Sequence, residues 1–226
     1  MKICIVGASG LLGEGFQRIS KDSKNEFIFC YAKNKIPNAE QLDITKEDAI
    51  KSFFQIHKPD TLINCSAISN PEFCESIFNE VMNQFGHVDI LVNCAGIISR
   101  TRMEEMTLKE WHRVIDVNLH GAFYMCRLFL PGMRKQSYGK IINVTSQMAH
   151  VPHPNASPSY EVSKAGLAAL TRHFAFHYAK YNVCVNSIAP GSIDTDMPKS
   201  ITKEARKRLK NAVPMKRLGQ PDEVGK

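Results

Sequence analysis

A tyrosine and a lysine spaced for acid–base chemistry occur in the run Tyr160-Glu161-Val162-Ser163-Lys164. Residues four apart lie on one face of a helix, so the phenol and the ammonium come close enough to interact. An adjacent ammonium favours the phenolate, and we therefore expect Lys164 to lower the pKa of Tyr160 towards neutral pH, where acid–base catalysis is most effective. The competing interpretation is a surface helix that carries both residues by coincidence, and the rest of the chain has to decide between the two.

Two further polar residues fit the same chemistry. Ser146 ends the strand pattern 139–146, and Asn118 interrupts an apolar helical pattern that runs from Thr107 to about Met133. An amide buried in an apolar helix is costly without partners, so a specific role is expected for Asn118. A hydroxyl, an amide and a phenol beside a cation can together stabilise an oxyanion and pass a proton. The candidate catalytic residues are Asn118, Ser146, Tyr160 and Lys164.

A glycine-rich turn at 7–13 follows the apolar run at 2–7, and a helical pattern continues through Phe16 and Ile19. Glycines in such a strand–turn–helix unit let the backbone approach a pyrophosphate, and the helix N-terminus supplies N–H donors. The spacing is G-x-x-G-x-x-G, which differs from the G-x-G-x-x-G of many dehydrogenases, and packing alone can also produce it. We interpret the turn as a dinucleotide site with contacts from Gly7, Ser9, Gly10, Leu11, Leu12 and Gly13.

The loop after the second strand pattern indicates which dinucleotide is bound. The strand at 26–31 leads into Ala32-Lys33-Asn34-Lys35, where NAD-preferring sites place an acid for the ribose hydroxyl. Cations without a carboxylate suit a 2′-phosphate, so NADP(H) is favoured over NAD(H), with Lys33 as the candidate contact, although lysines are also common in solvated loops. Asp43, in the short strand 41–45, would bond the adenine or cap the next helix.

Strand and helix patterns alternate along all 226 residues, which predicts an α/β fold: a doubly wound, Rossmann-like parallel sheet in one domain, 1–226. Ligands of such sheets bind beyond the carboxyl ends of the strands. The segments at 62–67 and 91–96, Leu-Ile-Asn-Cys-Ser-Ala and Leu-Val-Asn-Cys-Ala-Gly, are near copies. We interpret them as a duplicated strand or as a join between two related sequences.

Composition excludes several other classes of function. The formal charge is +7, but most of the surplus lies in one basic helical stretch at 201–217, which favours a solvated face or an anionic substrate over nucleic acid. No apolar run is long enough for a membrane helix. Seven scattered cysteines without a C-x-x-C pair predict a reduced, cytoplasmic protein. His173 and His177, four apart, lack a third ligand, so we expect core or subunit packing and no metal.

Together these residues resemble the short-chain dehydrogenase/reductase superfamily. From about Glu75 onwards the chain is similar to the compact branch typified by 3-oxoacyl-carrier-protein reductases. The shared motifs are Asn93-Cys94-Ala95-Gly96, Asp116-Val117-Asn118, Ser146, Tyr160-x-x-x-Lys164 and Pro190-Gly191-Ser192-Ile193-Asp194-Thr195, with Cys94 where the branch usually has a second Asn.

The resemblance implies hydride transfer between a nicotinamide and a small carbonyl or alcohol. Tyr160 would be the acid or base, Lys164 would lower its pKa and bond the nicotinamide ribose, Ser146 would hold the substrate oxygen, and Asn118 would position a water. It also implies cofactor contacts from Asn93, Ala95, Gly96, Tyr160, Lys164, Pro190, Gly191, Ile193 and Thr195. In relatives the helices corresponding to 107–133 and 158–180 form subunit contacts, which implies a homo-oligomer, most simply a dimer.

Residues 1–75 resemble a different branch, the extended sugar-nucleotide-modifying members, especially dTDP-4-dehydrorhamnose reductases. The chain is therefore expected to be a hybrid joined near residue 75, with a duplicated fourth strand and no final strand. One strand fits beside 2–7 in the fourth-strand position; if 89–95 takes it, 61–67 must move to an edge or pack elsewhere. Two alternatives to the reductase remain: an impaired hybrid that only binds dinucleotide, and a sugar-nucleotide reductase.

Overall fold

Seven parallel strands form one sheet in the computed structural model, which describes residues 2–6, 24, 26–31, 38–42, 46–57, 61–64, 70–153, 156–194 and 202–225. The strands are β1 (Lys2–Val6), β2 (Glu26–Tyr31), β3 (Glu40–Gln41), β4 (Thr61–Asn64), β5 (Ile90–Asn93), β6 (Gly139–Val144) and β7 (Val183–Ile188). Their order across the sheet is β3-β2-β1-β4-β5-β6-β7. The order reverses between β1 and β4, so the predicted doubly wound parallel sheet is confirmed.

Both near-copy strands lie inside the sheet, and the first of them takes the position beside β1. β4 pairs with β1 along its length, from Ile3 opposite Thr61 to Val6 opposite Asn64. β5 lies one strand further out, with Asn93 opposite Asn64 on one side and Asn143 on the other. The case in which 89–95 displaces 61–67 is therefore not realised, because the helical crossover at 71–85 carries the second copy to the far side of β4.

From β3 to β7, the described helices lie between successive strands, as parallel crossovers require. The helix bounds are α1 (Glu47–His57), α2 (Pro71–Phe85), α3 (Leu108–Ile115), α4 (Gly121–Gln136), α5 (Pro158–Tyr178), α6 (Lys203–Ala212) and α7 (Pro221–Gly225). A π-helical turn at Asp116–His120 joins α3 to α4, so the predicted long helix is continuous but irregular at its centre. The one-turn helix α7 ends the described part of the chain.

The main core lies between the sheet and helices α2 and α4. Ile141 of β6 and Cys74 of α2 are fully buried, and Leu130 and Met133 of α4 are 1 % exposed. The apolar residues of α4 recur every three or four positions, which places them on the face towards the sheet. This packing fixes α4, and with it the π-helical turn, against the carboxyl half of the sheet.

Candidate active site

Ser146 and Tyr160 meet at the carboxyl end of β6. Ser146 follows this strand by two residues, and its hydroxyl accepts a hydrogen bond from the Met148 amide at 3.2 Å, which fixes the turn. Tyr160 lies in the first turn of α5, which is capped by Ser157 and starts with Pro158. The Ser146 hydroxyl acts on the Tyr160 phenol and favours its ionised form. A phenol and a hydroxyl are thus held together where an α/β sheet binds its ligands.

Lys164 lies one helical turn beyond Tyr160 and is 3 % exposed. Its Nζ atom donates a 2.8 Å hydrogen bond to the carbonyl oxygen of Val144, the last residue of β6. Burial disfavours the charged ammonium and lowers the pKa of Lys164 to about 8, and the Cys94 side chain opposes this shift. The predicted lysine is therefore present at the site, held by the strand that leads to Ser146.

The expected direction of the Tyr160 pKa shift is wrong. Burial raises the pKa of the Tyr160 phenol above its usual value, and the Ser146 hydroxyl opposes this without reversing it. The spacing argument placed the ammonium close enough to stabilise a phenolate, but it contained no information on how deeply the helix buries the phenol. Tyr160 is consequently a protonated acid at neutral pH.

The amide of Asn118 is fully buried in the π-helical turn and has partners at both ends. Its oxygen accepts a 2.8 Å hydrogen bond from the Ile97 amide, and its nitrogen donates to the Ile97 carbonyl at 2.9 Å. The same nitrogen donates to Ser163 Oγ at 3.0 Å. Asn118 therefore holds the loop after β5 against α5, and the partners expected for a buried amide are found.

Gly96 lies in that loop and leaves space next to the catalytic candidates. A Cβ added at Gly96 would lie 3.2 Å from Lys164 Nζ and 3.6 Å from Asn118 Oδ1. Gly191 is similar, since a Cβ there would lie 3.2 Å from Gln147 Oε1, beside Ser146. Gly96 and Gly191 therefore lie in tight contact with side chains of the candidate site, and a larger residue at either position would crowd it.

Asn93 belongs to a buried polar network. Its side chain is 7 % exposed and donates hydrogen bonds to Asn143 Oδ1 at 2.8 Å and to Cys126 Sγ at 3.3 Å. Asn143 in turn donates to Thr171 Oγ1 at 2.9 Å. This network joins β5, β6 and α5 behind the loop that follows β5. Sequence reasoning missed Asn143 and Thr171, although a polar residue in the middle of each apolar pattern was the available signal.

Several predicted cofactor residues lie outside the described residues: Gly7, Ser9, Gly10, Leu11, Leu12, Gly13, Lys33, Asp43 and Thr195. Ile193 is described and forms a bridge with Gly219, beside the Pro190-Gly191 turn. The turn itself is fixed to the catalytic strand, because Gln147 donates from its backbone amide to the Pro190 carbonyl at 3.0 Å.

His173 and His177 are neighbours on α5, with ring centroids 4.4 Å apart, and both are exposed, so they do not pack in the core and packing against another subunit stays a prediction. In the described part of the chain, no three metal-ligating side chains gather in one place. Likewise, none of the described helices combines the length and the apolar character that crossing a membrane needs.

Comparison with known families agrees with this geometry. Residues 46–226 match the family described as Enoyl-(Acyl carrier protein) reductase. The fold, this match and the relatives below define the class. The chain therefore belongs to the short-chain dehydrogenase/reductase superfamily of oxidoreductases, and within it to the branch that resembles 3-oxoacyl-[acyl-carrier-protein] reductases.

Three relatives show how far the similarity extends. Nodulation protein G of Azospirillum brasilense is 34% identical over 228 residues, covering 99% of this chain and 87% of that protein. The 3-oxoacyl-[acyl-carrier-protein] reductase FabG of Staphylococcus epidermidis is 30% identical over 97% of this chain and 86% of its own length. The FabG of Vibrio cholerae is 37% identical over 157 residues, which are 70% of this chain but 64% of that protein.

Solved structures share the fold. A 3-oxoacyl-[acyl-carrier protein] reductase from Brucella melitensis aligns with a TM-score of 0.75 at 25% identity, covering 99% of this chain and 81% of that chain. A second Brucella melitensis reductase, solved with bound NAD, aligns with a TM-score of 0.72 at 25% identity, over 99% of this chain and 80% of that one.

Proposed function

We propose that this protein transfers hydride between a nicotinamide cofactor and a carbonyl or secondary alcohol, with Tyr160 as the acid and base. The observation that carries the proposal is the placement of Lys164, which is buried one helical turn from Tyr160 and bonded to the strand that leads to Ser146, while the Ser146 hydroxyl acts on the Tyr160 phenol. The nicotinamide supplies or accepts the hydride when it is bound. The side chains of this chain have to bind the substrate oxygen and move its proton.

In the reduction direction, Ser146 donates a hydrogen bond to the substrate carbonyl oxygen and Tyr160 gives its proton to the alkoxide that develops there. The raised pKa of the Tyr160 phenol suits this step, because the proton is present at neutral pH. Lys164 holds the nicotinamide ribose and supplies positive charge beside the oxyanion. Asn118 acts through Ile97 by fixing the loop that carries Gly96, and a water at this turn would complete the proton path.

The proposed cofactor contacts fall into two groups, one for each half of the dinucleotide. Ala95, Gly96, Pro190, Gly191, Ile193 and Thr195 would border the nicotinamide half, and the glycine turn at 7–13 with Asp43 the adenosine half. Lys33, in a loop with two lysines and no carboxylate, favours NADP(H) over NAD(H). The preference is tested by comparing the dissociation constants of NADPH and NADH in wild type and Lys33→Ala; equal constants in wild type would contradict it.

The test of the function compares wild type with Tyr160→Phe. Because relatives are named 3-oxoacyl-[acyl-carrier-protein] reductases, a 3-oxoacyl thioester is the first substrate to assay, followed by simple ketones. We expect wild type to consume NADPH with a ketone substrate and Tyr160→Phe to lose at least about 100-fold in turnover. Tyr178→Phe, on the same helix, is the matched control and should turn over normally. Unchanged turnover in Tyr160→Phe would refute the assignment.

A second candidate is a hybrid that binds dinucleotide without turnover, joined near residue 75 within a single domain. The position of β4 favours it. Val6, which precedes the glycine turn, and Asn93, which precedes Gly96, are separated by β4 and hence by two strand spacings, about 10 Å. If β5 paired directly with β1, one spacing would separate them. NADPH binding seen by fluorescence, without turnover across a panel of carbonyl compounds, would support this candidate over the reductase.

Two further proposals are supported by fewer observations. A sugar-nucleotide reductase is suggested by residues 1–75 alone and ranks below the reductase, because α5 and the loops that would meet the substrate belong to the other branch.

A homodimer through α4 and α5, in the cytoplasm, is suggested by Phe176, which is 82% exposed on α5. Light scattering of wild type and Phe176→Glu tests it: a dimer that dissociates in the variant is expected, and a wild-type monomer would refute it.

A further inference from the structure

The basic helix α6 is held to the rest of the molecule by very little apolar packing. It carries five cations and one carboxylate over ten residues, and none of its residues is buried. Its half-buried residues, Ala205, Arg206 and Leu209, lie on one face. An isolated helix of this length is marginal in water, and clustered like charges weaken it further. Polar contacts must therefore contribute to its position.

The described ion pair of α6 joins Arg206 to Asp194. Arg206 Nη2 donates to both carboxylate oxygens of Asp194, at 2.6 Å to Oδ2. Asp194 is the last described residue of the segment that leaves β7, and Arg206 lies in the first turn and a half of the helix. The first turn is also capped, because Thr202 Oγ1 accepts from the Ala205 amide at 3.2 Å.

Asp194 is itself fixed from the opposite side. Its backbone amide donates to the Gly219 carbonyl at 2.8 Å, and the Gly219 amide donates to the Ser192 carbonyl at 3.0 Å. The contact is close, since a Cβ added at Gly219 would lie 2.6 Å from Ile193 Cδ1. The residues before and after α6 thus meet in a short parallel bridge, and the carboxylate of Asp194 extends from this bridge to the helix.

The segment that forms this bridge is also hydrogen-bonded to the residues around Ser146. The Pro190 carbonyl accepts from the Gln147 amide at 3.0 Å, and the Ile188 carbonyl accepts from the Thr145 amide at 2.9 Å. Ser146 lies between these two contacts. Segment 188–194 therefore has the Ser146 turn on one side and α6 on the other, and it contains the proposed cofactor contacts Pro190, Gly191 and Ile193.

We propose that Asp194 and Arg206 are positioning residues: their ion pair fixes α6 against segment 190–194 and so holds that segment in the geometry that binds the cofactor. The expected effect on cofactor binding rests on the proposed function, whereas the expected effect on the position of α6 does not. Arg206 and Asp194 are 41% and 32% exposed at their side chains, so solvent screening limits the effect of the pair to a few-fold change.

Limited digestion with trypsin reports the structural part without any assay of activity. Cleavage after Lys207 and Arg208 requires α6 to open locally. We expect Asp194→Asn, which leaves every tryptic site intact, to increase the cleavage rate about three- to fivefold, as expected for the loss of a partly exposed ion pair. Glu104→Gln is the matched control, since it removes an exposed carboxylate that lies outside α6 and should leave the rate unchanged. An unchanged rate in Asp194→Asn would overturn the proposal.

The functional part is tested by NADPH binding and by a charge swap. The dissociation constant for NADPH, measured by fluorescence, should rise about three- to fivefold in Asp194→Asn and in Arg206→Gln, while kcat with a ketone stays within about twofold of wild type. The double variant Asp194→Arg/Arg206→Asp should regain at least half of the lost affinity; no recovery would overturn the ion-pair role. Wild type that binds NADPH but never turns over would refute the reductase and leave the binding and digestion results to decide this inference.

Discussion

Lys164 Nζ lies 2.8 Å from the carbonyl oxygen of Val144, so the helix that carries Tyr160 is joined directly to the strand that leads to Ser146. Ser146 is two positions after Val144, and Lys164 is four positions after Tyr160. One hydrogen bond therefore fixes the relative position of both reacting groups. It also explains how an ammonium that is 3 % exposed is satisfied in the interior of the protein.

The pH dependence of the reduction should follow Lys164. Burial lowers the pKa of Lys164 to about 8, so the cation is present below that pH and is lost as pH rises through it. The pKa of Tyr160 is raised, so its proton remains in place over the same range. Because kcat/KM reports groups of the free enzyme, it should be level near neutral pH and decline above about 8.

Lys164→Arg tests whether the titration of Lys164 causes this decline, because a guanidinium keeps its proton throughout the pH range. Its kcat/KM is expected to be lower overall and to show no decline near the Lys164 pKa. Lys180→Arg, an exposed lysine after the same helix, is the control and should retain the wild-type profile. A decline at the same pH in Lys164→Arg would assign the titration to a different group.

Gly96→Ala should weaken cofactor binding without unfolding the protein. The added methyl group would lie 3.2 Å from Lys164 Nζ, in the space where the nicotinamide end is expected to bind. Overpacking of this kind typically costs about 1–3 kcal/mol, so the dissociation constant for NADPH should rise at least about fivefold. Gly132→Ala is the matched control, because no atom lies within 4 Å of its added Cβ. Equal affinities in the two variants would place the cofactor elsewhere.

The buried network of Asn93, Asn143 and Thr171 should contribute to stability. Asn143→Ala removes two buried hydrogen bonds, those with the Asn93 amide and the Thr171 hydroxyl, and each typically contributes about 1 kcal/mol. Urea unfolding should therefore show a loss of at least about 2 kcal/mol. Thr171→Ser keeps the hydroxyl and should lose much less. A loss in Asn143→Ala no larger than in Thr171→Ser would mean that the network is not a significant contributor.

Local patterns predicted the elements that carry the site, and three-dimensional packing decided what the patterns could not. The strand that ends before Ser146 and the helix that begins before Tyr160 are visible in the sequence, because apolar periodicity and a Ser-Pro helix start are local signals. The pKa of Tyr160 was predicted in the wrong direction, because the spacing to Lys164 says nothing about the depth of burial.

Contacts between residues far apart in the sequence could not be predicted either. The hydrogen bond from Asn93 to Asn143 depends on the register of two strands 50 residues apart, and the pair Arg206–Asp194 depends on how a loop returns to β7. The order of the two near-copy strands could not be predicted for the same reason, because the sequences of 61–64 and 90–93 both suit an interior position in the sheet. Their order beside β1 follows from the crossover between them.

The most direct measurement is the transfer of deuterium from NADPH labelled at the nicotinamide C4 to a 3-oxoacyl thioester, analysed by mass spectrometry of the product. The account predicts a 3-hydroxy product with deuterium on the reduced carbon for wild type, and little or no product for Tyr160→Phe although that variant still binds NADPH. Bound NADPH with no labelled product in wild type, or equal labelled product in Tyr160→Phe, would contradict it.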